Sequence, residues 1–425
     1  MTGEPYLIPP VTNTVEGEIT LPGSKSIALR QLAMAALSKG ATRISGIPPC
    51  DDTDAMLDCI RALGLSVSTS ATEVVIEGTM ERTSDVRLDA RMSGASTRLL
   101  IGLAALRSGT TYIDGHPSLR VRTNAPLFNV LKEHGCNIIS ADGGLPATIK
   151  GPIVPPETLT IDGSLSSQYI TALLVAAPYF ANGHQRISIT GSLVSKPYID
   201  ITLNEMAKRG VDASWQSASV LQVPAGDYLP GDAVVEGDAT AASYFAALAT
   251  LHGGDVTLSN LGANTRQGDY QFMEIMQQLG ARVERTDNTT RIVGPEQLRP
   301  LAEIDMNPMP DAALTLITLA PLLPGGGYIT GLSSLHHKEC DRLECPAAQY
   351  RLLGIEAVTS DASINVRQTA PEQIRPHILE TYHDHRMAMA FSIIGSVTGT
   401  LTVDDAEVVN KTYPNYWRDY RSLIA

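Results

Sequence analysis

Six runs of small and apolar residues open at Ser24, Ser93, Ser164, Asp238, Met309 and His383 and recur every 69–74 residues. Past its first turn each is almost entirely apolar, as in Thr97–Leu106, Tyr169–Phe180, Ala241–Leu251, Ala312–Leu323 and Met387–Val397. A helix that is apolar on every side belongs in an interior, so the pattern predicts six buried helices. Between them recurs a second module of strand, loop, amphipathic helix and strand. Its copies are Ala41–Ser68, Gly109–Ser140, Arg186–Ser214, Asp255–Glu284, Gly326–Thr359 and Gly399–Ala425. Gly64, Gly135, Gly210, Gly280 and Gly354 follow the amphipathic helices, where a left-handed C′ residue ends a helix. Strand and helix alternate throughout, which defines an α/β architecture. A chain of 425 residues exceeds what one core supports. Six repeats therefore predict two domains of three, divided near Gly237-Asp238.

The chemistry starts at Leu21-Pro22-Gly23-Ser24-Lys25-Ser26. Pro22 and Gly23 break the preceding strand-like run, and Ser24 is a good N-cap for the helix that follows. Lys25, Ser26 and the free amides of the first turn then share the positive end of a helix dipole, a natural anion site. Arg30 lies one turn along the same face. The Gly-Ser-Lys-Ser order lacks the Gly-Lys-Ser core of a phosphate-binding P-loop.

Charge sharpens this reading. The formal net charge is -13, which speaks against a nucleic-acid or anionic-membrane surface and requires basic residues for anionic ligands to be gathered locally. Five scattered cysteines suit a reducing compartment without a disulfide framework. The polar N-terminus shows no signal peptide and the apolar runs are too short to span a bilayer, so the expected location is the cytoplasm.

The repeats differ in the polar residues at helix starts and in strand-to-helix loops. The helix starts carry Lys25, Ser26 and Arg30; Ser93, Gly94, Ser96 and Arg98; Ser166, Ser167 and Gln168; Asp311; and His385 and Arg386. The loops carry Arg120, Arg122, Ser195, Lys196, Tyr198, Arg266, Lys338, Glu339, Arg342 and Lys411. If equivalent repeat ends face one cleft, it is strongly cationic and suits a polyanionic substrate with a second anion. Asp311, after Pro310, also reads as an ordinary N-cap or first-turn acid. His336-His337 with Cys340 and Cys345, or His383-Asp384-His385, gives only a weak zinc signal, because the Cys-x4-Cys lacks a second pair.

Taken together, Gly23-Ser24-Lys25-Ser26, Ser166-Ser167-Gln168, Ser195-Lys196-Pro197-Tyr198-Ile199-Asp200, Lys338-Glu339-Cys340-Asp341-Arg342, Asp384-His385-Arg386-Met387-Ala388 and Lys411-Thr412 resemble the 5-enolpyruvylshikimate-3-phosphate synthase family, in order from about Leu21 to the C-terminus. The resemblance implies a two-domain enolpyruvyl-transferase fold, an inside-out α/β barrel in which each domain has three βαβαββ repeats. Residues 22–237 would form one domain, and 1–21 with 238–425 the other, with a substrate-closed cleft between them. It implies transfer of the enolpyruvyl group of phosphoenolpyruvate to the 5-hydroxyl of shikimate 3-phosphate with release of phosphate, in aromatic amino-acid biosynthesis. No cofactor, no metal and no macromolecular partner are implied, and the expected state is a monomer.

Carried over by position, the resemblance makes Lys25, Asp311 and Glu339 catalytic, with Asp311 the base at the 5-hydroxyl and Lys25 or Glu339 the proton carrier. It assigns Lys25, Ser26, Arg30, Ser166, Ser167, Gln168, Ser195, Tyr198, Asp311 and Lys338 to shikimate 3-phosphate. Phosphoenolpyruvate falls to Lys25, Gly94, Arg122, Gln168, Arg342, Arg386 and Lys411. Some positions depart from the family. Its Asn-Ala/Ser-Gly-Thr turn is Met92-Ser93-Gly94-Ala95 here, an expected asparagine is Ser334 and a nearby arginine is His336. These changes predict weaker phosphoenolpyruvate binding and altered sensitivity to glyphosate, which occupies that site in the family. A sister enzyme acting on UDP-N-acetylglucosamine fits less well, because the loop His116–Arg122 has no cysteine. A non-catalytic anion-binding protein would not need both Asp311 and Glu339.

Overall fold

The computed structural model describes residues 3–424, and they divide into two compact units. One runs from Gly23 to Val235; the other joins the residues up to Pro22 to those from Glu236 onward. Each is built from helices enclosed by three small sheets.

The unit Gly23–Val235 contains α1 (Lys25–Leu37), α2 (Asp51–Ala62), α3 (Gly94–Ala104), the short α4 (Pro117–Arg120), α5 (Ala125–Glu133), α6 (Ser167–Ala176) and α7 (Lys196–Lys208). The apolar helices α1, α3 and α6 pack on one another. Every residue of α1 from Ile27 to Leu37 is buried. Each sheet has a parallel pair followed by an antiparallel hairpin. In one of them Thr158–Asp162 runs parallel to His184–Thr190, which pairs with Val220–Pro224 and, through it, Ser214–Ser217. Leu159 and Ile161 point inward while Thr160 and Asp162 are exposed, the alternation of a half-buried strand. Helices thus fill the interior and sheets form the wall.

The second unit repeats this plan with α8 (Ala239–His252), α9 (Phe272–Gln278), α10 (Ala313–Leu319), α11 (Glu344–Leu353), α12 (His385–Thr398) and α13 (Tyr416–Ile424). Here α8, α10 and α12 form the mutually packed centre. Two strands pair with a repeat other than the one they precede in sequence, each within its own unit. Glu16–Ile19, which leads the first repeat in sequence, lies parallel to Asp255–Leu258 of the fourth. Gly231–Val234, which leads the fourth, lies parallel to Thr42–Ser45 of the first. The sixth repeat lacks a closing hairpin, and Tyr6–Leu7 supplies its third strand against Leu401–Val403.

Glycines Gly64, Gly135, Gly210, Gly280 and Gly354 all have positive φ at helix C-termini, as their spacing predicts. Three helix starts need correction. The run expected to open at Ser164 begins at Ser167, capped by Ser166; that expected at Met309 begins at Ala313; that expected at His383 begins at His385, capped by Asp384. Ser24 holds the N-cap position of α1, but its buried hydroxyl makes no cap bond and has no hydrogen-bond partner. Asp311 caps nothing: it sits in the turn before α10, where Ala312 is the N-cap.

Candidate active site

In the second unit the sequence-predicted residues converge. Asp311 Oδ1 accepts from Lys338 Nζ at 2.9 Å and from Arg342 Nη1 at 3.2 Å, while Oδ2 accepts from Arg386 Nη2 at 3.2 Å. Arg342 also donates from Nη2 to Glu339 Oε2 at 2.8 Å and grips Asp384 through Nε at 2.7 Å and Nη2 at 3.1 Å. Lys411 Nζ donates to Glu339 Oε1 at 2.9 Å. Four cations are thereby meshed with three carboxylates.

Local folding explains the placement. The Asp384 carboxylate accepts the Arg386 amide at 2.9 Å and so caps α12, fixing Arg386 in the first turn. Tyr382 and His383 adopt left-handed backbone just before it, which turns the chain into the helix. Lys338, Glu339 and Arg342 share the loop that enters α11, and Lys411 ends a short 3₁₀ turn at Glu407–Lys411. Arg386 Nη1 also donates to the Tyr244 hydroxyl of α8 at 3.3 Å, bringing a second buried helix to the cluster.

Burial alone would push the Asp311 carboxyl up, but the charges of Lys338, Arg386 and Arg342 outweigh it and hold the group well below the usual carboxylate range. Asp311 is therefore ionised at neutral pH. The Arg342 guanidinium, with a side chain only 1% exposed, is raised above its ordinary value; burial opposes this, but Asp384, Glu339 and Asp311 prevail. Arg342, which the resemblance assigns to phosphoenolpyruvate, spans three carboxylates of the protein in the structure.

The first unit presents helix starts. Lys25, at the first position of α1, pairs with Asp52 Oδ2 at 3.0 Å, and Asp52 is buried in the first turn of α2. Sequence reasoning missed Asp52, since an acid in a first turn is usually explained by the helix dipole. Without a carboxylate partner Lys25 would lose a charge-assisted bond, and such bonds contribute about 1.5–3 kcal/mol. Asp52→Asn is accordingly expected to lower kcat/KM about tenfold with the circular dichroism spectrum unchanged; unaltered kinetics would mean that the pair serves only to park the lysine.

Gly94 opens α3 beneath two guanidinium groups. A Cβ there would lie 2.7 Å from Arg122 Nη1 and 2.8 Å from Arg98 Nη1. Arg98 reaches back to the Gly94 carbonyl at 3.0 Å and across to the Thr123 carbonyl at 3.1 Å. The Tyr169 hydroxyl donates to that same Thr123 carbonyl at 2.8 Å, fixing the loop that carries Arg122. Two like charges are thus held over bare backbone, an arrangement that an anion would neutralise. Gly94→Ala would displace only the ends of flexible side chains. It is expected to leave the melting temperature in place and raise KM for an anionic substrate about tenfold; an unchanged KM for every substrate would mean that Gly94 seats no anion.

Other predicted residues have structural duties. Arg30 uses four of its five N–H donors on Thr202, the Ser26 carbonyl, the Tyr198 carbonyl and Thr171, tying α1, α6 and α7 together. Burial lowers its pKa to about 10, so it stays charged. Ser166 accepts the Gln168 amide at 3.2 Å as the cap of α6, with Ser167 buried behind it. Ser195 holds a left-handed conformation at φ 55°, a strained geometry for serine that recurs at functional sites, and Tyr198 follows it in the first turn of α7. Arg120 and Lys196, counted among loop cations from sequence, are paired with Asp114 and Asp200 through two bonds each; Arg266 is exposed. His336 Nδ1–H donates to Asp341 Oδ2 at 2.7 Å, and this hydrogen bond raises its pKa. Ser334 is buried with its hydroxyl unpartnered. Among the described residues no three His, Cys, Asp or Glu side chains cluster so as to hold a metal ion, and no helix is long and apolar enough to cross a membrane.

Helix-centred units walled by small sheets are an architecture this chain shares with solved enolpyruvyl transferases. Solved structures of that class share the architecture: the enolpyruvyl transferase NikO from Streptomyces tendae superposes with a TM-score of 0.78 at 17% identity, covering 99% of this chain and 98% of that one. EPSP synthase from Acinetobacter baumannii gives 0.78 at 25% identity, covering 97% and 96%. The sequence profile of EPSP synthase (3-phosphoshikimate 1-carboxyvinyltransferase) matches residues 10–420, and the chain belongs to that family. It is 37% identical to the 3-phosphoshikimate 1-carboxyvinyltransferases of Photobacterium damsela subsp. piscicida and Vibrio campbellii, over 97% of this chain and 97% of each of theirs.

Proposed function

We propose that the chain transfers the enolpyruvyl group of phosphoenolpyruvate to the 5-hydroxyl of shikimate 3-phosphate, acting as a cytoplasmic monomer. The carrying observation is the cluster in which Asp311 and Glu339 sit bonded to Lys338, Arg342, Arg386 and Lys411. Binding two anions needs cations; moving protons between them needs the carboxylates as well.

The chemistry runs by addition and elimination. Protonation of the phosphoenolpyruvate methylene carbon makes C2 electrophilic, and the 5-hydroxyl oxygen attacks it while giving up its proton. Loss of a proton from the new methyl group then expels phosphate and restores the double bond. Glu339 is the proton carrier at the methyl carbon, with Lys25 sharing the first transfer. Asp311 accepts the hydroxyl proton. It is a weak base at rest, because three cations donate to it. Substrate anions that draw Lys338 and Arg386 onto themselves raise its basicity as they bind.

In this reading Lys25, Ser26, Ser166, Ser167, Gln168, Ser195, Tyr198 and Lys338 hold shikimate 3-phosphate, with Arg30 as the tie behind them. Gly94, Arg122, Gln168, Arg386 and Lys411 hold phosphoenolpyruvate, with Arg342 as the organiser of the carboxylates. Restoring the amide and hydroxyl beside Gly94 with Met92→Asn and Ala95→Thr is expected to lower KM for phosphoenolpyruvate and strengthen glyphosate inhibition together. A double variant indistinguishable from the parent in both would refute the link.

A phosphate-release assay tests the reaction. Release only when phosphoenolpyruvate and shikimate 3-phosphate are both present is expected. Release with UDP-N-acetylglucosamine instead, or with neither acceptor, would overturn the assignment.

A further inference from the structure

Arg91 stands in the turn that enters α3, three residues before Gly94, and holds left-handed backbone at φ 47°. A long L side chain gives up stability to sit there, so the surroundings must hold it. The holding groups are specific. The Arg91 amide donates to Asp89 Oδ1 at 2.8 Å, its carbonyl accepts the His116 amide at 2.7 Å, and the Ser93 amide closes the turn onto the Ala90 carbonyl at 2.8 Å. Gly115 makes the close approach possible: a Cβ there would lie 2.6 Å from the Arg91 carbonyl oxygen. The guanidinium forks onto α2, donating from Nη1 to Asp51 Oδ1 at 2.8 Å and from Nη2 to Asp58 Oδ2 at 2.5 Å.

Three pieces of the first unit meet at this residue. Asp51 immediately precedes Asp52, the partner of Lys25. His116 is the N-cap of α4, and the Arg122 amide donates to the Leu119 carbonyl of that helix at 3.1 Å. Gly94 follows in the turn that Arg91 opens. Stability is a poor explanation for the arrangement. The Arg91 side chain is 38% exposed, and ion pairs at that exposure contribute little to a fold. Geometry is the better one, because a planar guanidinium bonded at two points fixes direction as well as distance.

We propose that Arg91 is a positioning residue for phosphoenolpyruvate, holding Gly94, Lys25 and Arg122 at their working separations without touching the substrate. Which substrate responds rests on the function proposed above; the tie itself does not. Without the fork, the turn and α2 drift apart by fractions of an ångström, and the groups at their ends drift with them. A group misplaced by about 1 Å can cost on the order of a hundredfold, so a smaller drift predicts a smaller loss, confined to the ligand these groups hold.

Arg91→Gly removes the fork while glycine takes the left-handed backbone freely, so the turn keeps its path. Steady-state kinetics of the full-length enzyme should show KM for phosphoenolpyruvate raised about tenfold, KM for shikimate 3-phosphate within about twofold of the parent, and a melting temperature no lower than the parent's. Asp51→Ala cuts the same tie from its other end, leaving Asp58, and should raise the same KM by less. Adding Asp51→Ala to Arg91→Gly should change nothing further, as expected for two residues acting through one bond. An unchanged KM for phosphoenolpyruvate in Arg91→Gly, equal rises for both substrates, or strictly additive effects of the two substitutions would each overturn the positioning role. The parent enzyme's requirement for both substrates in phosphate release reports separately on the assigned reaction.

Discussion

Arg342→Ala is expected to destabilise the fold by about 3–5 kcal/mol and to abolish turnover, because it leaves buried carboxylates without their shared partner. The arginine donates to Asp311, Glu339 and Asp384 at once, from a side chain that is 1% exposed. Asp384 is itself fully buried and caps α12, so its loss of a counter-charge reaches the centre of the unit. Arg342→Lys should rescue little: a single ammonium has no fork with which to span three acceptors. Urea denaturation of the two variants decides the matter, and a loss below about 1 kcal/mol for either would mean that the network is loosely coupled to the fold.

Asp311→Asn is expected to reduce kcat by about 10²–10⁴-fold while shikimate 3-phosphate still binds, as measured by calorimetry. The amide keeps the shape and part of the hydrogen bonding to Lys338 and Arg386 but cannot take a proton. The acid dependence of wild-type stability follows from the same geometry. Because the folded-state pKa of Asp311 is depressed, its contribution to stability is present above the unfolded value of about 3.9 and is lost as pH falls through the folded value. Any loss of stability above that range therefore belongs to another group, whereas the kcat profile reports Asp311 with substrates bound. A variant with near-normal kcat would take Asp311 out of the proton path.

Much of this was legible in the chain. The six apolar runs are legible because a helix buried on every side carries no polar stripe, and five of their six amphipathic companions because glycine marks the C-terminus. The partners of two leading strands were not legible in the residue pattern. Glu16–Ile19 and Gly231–Val234 are short edge strands whose alternation suits either partner, so only the tertiary pairing separates them. The family resemblance, rather than periodicity, assigned the N-terminal segment to the C-terminal domain.

The site divides in the same way. The family resemblance, more than residue type, singled out Lys25, Arg122, Asp311, Glu339 and Arg386. The partners that set their state lie far away in sequence and look ordinary there. Asp52 reads as a first-turn acid, and Asp384 as a cap. Arg342 reads as a free cation until the fold brings a carboxylate 42 residues away onto its Nε. Asp311 went the other way, from a plausible cap to the centre of a charge network, because the helix it precedes begins two residues later.

Solvent deuterium in the product measures the central claim most directly: that these side chains add a proton to the phosphoenolpyruvate methylene carbon and later remove one. With both substrates in heavy water, mass and proton spectra should show deuterium in the enolpyruvyl methylene group of the product, and Glu339→Gln should suppress product and label alike. Product formed at full rate with no deuterium at that carbon would contradict the account.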